Sequence, residues 1–231
     1  YRGFWICDPK PRLIHKAAVR DRVLHHSIFR ILNYVFDPTF ISTSFSCRLG
    51  RGTHRGVKEA DKMLRCVRRN YHQSVYALKC DVRKFFDSID HAILLELLGR
   101  KIKDPDLMWL LKVIIKSYPA VTRERESKNS GKIGVPIGNL TSQLFANVYM
   151  NEFDQFIKHE LKVKNYVRYA DDFLIISEDE NYLNRLLVST QDFLHQKLKL
   201  ALHPGKIEIR KFGQGIDFLG YVNFPYYRIL R

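Results

Sequence analysis

The chain has 231 residues, 45% of them hydrophobic and 13% aromatic, which excludes a wholly disordered polypeptide. Lys and Arg number 39 against 24 Asp and Glu, a net charge of +15 that points to nucleic acid or an anionic membrane as partner. The longest apolar runs, such as Val113-Ile114-Ile115, are broken by lysine within a few residues. They fall far short of the roughly 18 residues that span a bilayer, so no membrane partner is expected.

In chain order, residues 4–14 read as two short extended segments joined by a Pro-containing loop. Residues 17–35 set Val19, Val23, Ile28, Ile31, Leu32 and Val35 at helical spacing. A basic loop over 42–56 precedes a helix around 57–70. Residues 74–81 form an apolar strand ending in Asp81. Leu94, Leu97, Leu98 and Ile102 share one helix face; Asp104-Pro105 ends that helix and starts another over 106–117. The charged, glycine-containing stretch 118–138 suits a hairpin or mobile loop. A helix runs from Thr141 to about His159, strands near 165–170 and 173–177 flank Asp171-Asp172, and a helix follows to about Lys199. A turn at His203-Pro204-Gly205 and strands near 206–211 and 216–222 close the chain. Strands scattered among helices imply a mixed sheet with a helical layer. Cys7, Cys47, Cys66 and Cys80 contain no C-x-x-C pair, so no zinc signature is present, and they are expected as reduced thiols of a cytosolic (cytoplasmic) protein. A start without Met and a stop in mid-pattern suggest part of a longer protein.

The sharpest local feature is Tyr169-Ala170-Asp171-Asp172. Adjacent carboxylates repel, and a single Asp suffices for turn chemistry. Here both neighbours are apolar strands. Asp81 likewise ends an apolar strand, within Leu78–Asp87. If the two strands are neighbours, the acids converge. A pair of hard divalent cations would offset their repulsion and clamp a phosphoryl displacement. An exposed turn with an unrelated strand-end Asp is the plainer alternative; the apolar flanks and the charge of +15 weigh against it.

These motifs, in this order, resemble the reverse transcriptases, from Trp5 to Tyr221. Tyr169–Asp172 resembles their Y-x-D-D hairpin. Cys80–His91 resembles the strand carrying the first catalytic Asp in bacterial and group II intron-type enzymes. Ser44–His54 and Pro9–Arg22 resemble fingers segments of the same branch, and Asp217–Tyr221 the primer-grip hairpin. The resemblance implies an α+β, right-hand polymerase fold with fingers and palm and no evident thumb. The implied boundaries are 1–72 fingers, 73–117 palm, 118–140 a fingers/palm hairpin and loop, and 141–231 palm with catalytic hairpin and primer grip.

It also implies roles. Asp81, the Val82 carbonyl, Asp171 and Asp172 would hold two Mg²⁺ ions, with Mn²⁺ as a substitute. Phe86, five residues after Asp81, would exclude a 2′-hydroxyl. One of Phe85 and Phe86 is expected in the core, because strand alternation sends neighbours to opposite faces. Lys10 and Arg12 would bind the triphosphate, Arg12 better because its fork matches phosphate oxygens. Arg48 and Arg51 would approach template or nucleotide, and Gly220 and Tyr221 the primer. Lys206, with His203 as competitor, would protonate the leaving pyrophosphate. Most reverse transcriptases carry Gln before the glycine that Gly138 matches and Pro after the matched serine. Here Ile137 and Gln143 stand in those places, beside Gly138 at the nascent base pair. This form resembles the diversity-generating retroelement enzymes, which copy template RNA into cDNA with errors opposite adenine and work with a small basic accessory protein. The implied partners are template RNA, primer or cDNA, and dNTPs. The alternatives are a group II intron-like or defence-associated bacterial reverse transcriptase, and an inactive nucleic-acid-binding scaffold.

Overall fold

The computed structural model describes residues 2–7, 11–68, 74–117 and 133–231. These form two compact units, residues 1–40 with 84–151 and residues 41–83 with 152–231.

The first unit opens with an antiparallel hairpin of β1 (Arg2–Cys7) and β2 (Pro11–Lys16), Phe4 opposite Ile14. Helix α1 (Val19–Phe36) follows, and its buried face is His25, Ile28, Leu32 and Phe36, spaced at three and four residues as one helix stripe requires. A four-residue helix α3 (Phe85–Ser88) leads to α4 (His91–Gly99) and α5 (Pro105–Lys116). The start of α4 is set by Asp90, whose carboxylate accepts from the Ala92 and Ile93 amides. Asp104 caps α5 by accepting from the Leu107 amide, with Pro105 at the first turn. Ile102, expected on the helix face of Leu94 to Leu98, lies beyond the end of α4. Residues 118–132 of the expected hairpin or loop lie outside the described residues. Gly134 and Val135 then donate to the Ile89 and Phe86 carbonyls, and α6 (Leu140–Gln155) begins. From Glu152 onward the chain belongs to the second unit, where a π-helical turn over Phe156–Glu160 continues α6.

The second unit is built on a four-stranded antiparallel sheet in the order β4-β5-β3-β6, with β3 Tyr76–Asp81, β4 Tyr166–Tyr169, β5 Asp172–Ser177 and β6 Glu208–Lys211. Both faces are covered, which is why β5 reads as an unbroken apolar run. On one face Ala77, Val167, Leu174 and Ile176 pack with Ala60, Met63 and Leu64 of α2 (Thr53–Arg68). On the other, Tyr166 and Phe173 meet Phe153 from the last turns of α6, and Phe153 meets Phe193 of α7 (Glu180–Leu198). Full burial of each such aromatic contributes on the order of 2–3 kcal/mol. Edge strand β4 is paired by the loop at 43–45: the Arg168 amide donates to the Thr43 carbonyl and the Phe45 amide to the Arg168 carbonyl. A three-stranded sheet of β7 (Ile216–Phe218), β8 (Tyr221–Asn223) and β9 (Arg228–Leu230) completes the unit.

Three expectations change. Helix α2 starts at Thr53, inside the stretch read as loop. The single strand read from residue pattern over 216–222 is a hairpin, as the resemblance at Asp217–Tyr221 implied, because Leu219 and Gly220 both adopt positive φ (54° and 84°), as two-residue hairpins favour. Phe85 and Phe86 lie on α3, so alternation across a strand does not separate them. Their divergence comes from helical rotation: Phe85 is buried and Phe86 half-buried, with their rings edge to face at 5.4 Å.

Candidate active site

Strands β3 and β5 are antiparallel neighbours, and their register sets Asp81 directly opposite Asp172. Asp171 occupies the two-residue turn between β4 and β5, next to Ala170 at φ 54°. A left-handed conformation costs a residue with a Cβ roughly 1–2 kcal/mol. The Val82 amide donates to the Asp171 carbonyl at 3.3 Å, so the turn is tied to the end of β3. The His203 amide donates to the Asp81 carbonyl at 2.8 Å. That bond anchors a 3-10 turn over Pro204–Lys206, and Lys206 Nζ donates to Asp81 Oδ2 at 2.6 Å. His203 itself accepts from the Gly205 amide at its Nδ1.

The acids sit in a costly environment. Burial, and then the charges of Asp81 and Asp172, push the Asp171 carboxyl up to about 6. Asp172 is raised by burial and by Asp81, against the pull of Lys79 and Lys206. The Cys80 thiol, next to Asp81 on β3, is pushed up to about 12, first by burial and then by the charges of Asp172 and Asp81, which keeps it protonated. The described Cys7, Cys47, Cys66 and Cys80 are all free thiols.

Among the described residues no three His, Cys, Asp or Glu side chains gather closely enough to hold a metal unaided. Mg²⁺ is commonly held by one or two carboxylates together with substrate phosphates. The donor set is all oxygen, the acids repel one another, and a cationic nitrogen already rests on Asp81. The residues therefore fit a divalent cation completed by its substrate.

Beneath the turn lies a feature not foreseen from sequence. Arg168 and Asp154 are both fully buried. Arg168 Nε and Nη2 donate to Asp154 Oδ1 and Oδ2 at 2.8 and 2.6 Å, and Tyr166 Oη donates to Asp154 Oδ1 at 2.7 Å. Arg168 Nη2 also donates to Ser44 Oγ, and Nη1 to the Ala170 carbonyl at 2.9 Å. The available signal was an arginine inside the apolar strand Tyr166–Tyr169. Lys79 with Asp217, 3.6 Å apart, was missed as well.

The structure brings Asp81, Asp171, Asp172 and Lys206 together. Gly220 forms the tip of the β7–β8 hairpin, and Tyr221 Oη lies 3.5 Å from His54 Nδ1. Arg48 and Arg51 bond back onto their own loop: Arg48 Nη1 donates to the Ile41 and Ser44 carbonyls, and Arg51 Nη1 to that of Ser42. Phe86, Ile137, Gly138 and Gln143 belong to the first unit. There Ile137 and Gln143 are half-buried, and Gly138 is exposed at φ 112°. Lys10 lies outside the described residues, and Arg12 is placed by its backbone alone, on β2.

The group II intron-encoded protein LtrA of Lactococcus lactis subsp. cremoris is 26% identical over 277 residues, covering 92% of this chain and 44% of its own length. The protein YkfC of Escherichia coli is 25% identical over 246 residues, covering 92% of this chain and 63% of its own. The chain thus spans about half the length of these relatives. An apo telomerase structure from Candida tropicalis superposes with a TM-score of 0.70 at 13% identity, over all of this chain and 54% of that one, which shows the shared fold. The family model described as reverse transcriptase (RNA-dependent DNA polymerase) matches residues 8–223, so the chain belongs to the reverse transcriptase family.

Proposed function

We propose that the protein is an RNA-directed DNA polymerase that extends a primer on an RNA template with dNTPs. The observation that carries this reading is the register that sets Asp81 against Asp172 with Asp171 in the adjoining turn. Asp81, Asp171 and Asp172, with the Val82 carbonyl, would hold Mg²⁺ or Mn²⁺. Such a cation supplies charge neutralisation on the transferring phosphate and acidifies the attacking hydroxyl. The primer 3′ oxygen bonds to the α-phosphorus while the bond to the β-phosphate oxygen breaks. Lys206, whose Nζ donates to Asp81 Oδ2 at 2.6 Å, would give its proton to the pyrophosphate that leaves. Phe86 would exclude ribonucleotides, Lys10 and Arg12 would meet the triphosphate, and Gly220 and Tyr221 the primer. Primer extension by the full-length protein on a defined RNA tests this. Folded Asp81→Ala should lose extension; near-native extension by that variant refutes the reading.

The relatives favour an enzyme of the group II intron type. Ile137 and Gln143 favour a second reading, the error-prone enzyme of a diversity-generating retroelement working with a small basic accessory protein. Sequencing of the cDNA separates the two: errors concentrated opposite template adenine support the retroelement, and an even error spectrum supports the intron type.

A further inference from the structure

We propose that Arg168 is a positioning residue for Asp171, acting through the Ala170 carbonyl, an inference that rests on the polymerase reading above. Three nitrogens of one guanidinium are used at once. Nε and Nη2 are locked on the two oxygens of Asp154, and Nη1 donates to the Ala170 carbonyl at 2.9 Å. Asp154 lies in the last turn of α6, within the second unit, so the fork ties the turn to that helix end. Ser44 Oγ, on the loop that covers β4, accepts from Nη2 and restrains it from the other side.

The turn needs such a hold. Ala170 is in the left-handed region, which residues with a Cβ rarely adopt. Asp171, next in the chain, adjoins Asp172 and lies across from Asp81 at the end of β3, so its position is set by this turn. A bond to the Ala170 carbonyl acts on the peptide that precedes Asp171 and so limits where that carboxylate can go. Nη1 of a fully buried guanidinium needs an acceptor in any case, and the one it takes here is the carbonyl of the residue before Asp171. Arginine suits the task because its donors form a rigid planar fork; a lysine ammonium is a single point.

Arg168→Lys in the full-length protein tests this, because it keeps the cation that neutralises Asp154 and removes the fork. The expected result in primer extension is a kcat at least tenfold lower with the dNTP KM within twofold of native. Hydrogen exchange in peptides covering 166–175 should quicken at least fivefold while α7 keeps its protection. Adding Ala170→Gly to Arg168→Lys should recover at least threefold of the lost kcat, since glycine adopts the turn conformation without help. If Arg168→Lys does not fold, Arg168→Met with Asp154→Leu removes both buried charges together and carries the same measurements. Native exchange at the turn, or a loss of kcat that glycine does not relieve, overturns the proposal. Failure of both variants to fold also overturns it, in favour of a role in the core. If the native protein extends no primer, the polymerase reading fails by itself, and hydrogen exchange, which needs no activity, still decides on Arg168.

Discussion

Asp171→Asn should make the protein more stable and inactive. Burial, with the neighbouring carboxylates, pushes the Asp171 carboxyl up to about 6, from 3.8 for an ordinary Asp. An acid raised by folding binds its proton more tightly in the native state. Stability therefore falls as pH rises from about 4 to about 6, and the full cost is present above that window. At about 1.4 kcal/mol for each tenfold change in acidity, the gap is worth up to ~3 kcal/mol. Asp171 is half-buried, so solvent screening trims this to about 1–3 kcal/mol. For a chain of this size that corresponds to a rise in Tm of roughly 3–10 °C. Asparagine keeps the shape and removes the charge that Asp81 and Asp172 repel. Thermal unfolding of native and variant chains at pH 7.5 and pH 4, without metal, is the assay. The gain should appear at pH 7.5 and nearly vanish at pH 4. Added Mg²⁺ should raise the Tm of the native chain more than that of the variant. An equal Tm at pH 7.5, or a gain of the same size at both pH values, would refute the electrostatic account of the site.

Phe86→Val should admit ribonucleotides; incorporation of rNTP against dNTP on one template measures it, and unchanged discrimination in an active variant assigns the half-buried ring to packing. Ile137→Gln should lower errors opposite template adenine about tenfold, the effect of roughly 1.4 kcal/mol of restored selectivity. Deep sequencing of cDNA from an RNA of balanced composition reads this out, and an unchanged adenine error rate removes Ile137 from the fidelity argument. Affinity for primer-template should fall steeply with salt, because a net charge of +15 acts through phosphate contacts and counterion release. A salt titration with a flat slope contradicts that.

The sequence by itself pointed to the carboxylates of the candidate site. Asp81 and Asp171-Asp172 stand out because carboxylates between apolar strands have no cheap structural reason to exist, and local patterning is enough to see that. Most elements were equally legible, since alternation, helical spacing and capping residues such as Asp104 are short-range signals. Tertiary structure alone decided that β3 and β5 are partners, because pairing between strands some 90 residues apart leaves no local mark. It also decided that Lys206 rests on Asp81, across a separation of 125 residues. The helical setting of Phe86 depended on a backbone reversal at Lys84, at φ 46°, which no residue type there announces. Arg168 was visible only as a misplaced charge in an apolar strand. Its meaning came from Asp154 on another element, because a buried guanidinium is tolerable only when the fold delivers a carboxylate to it.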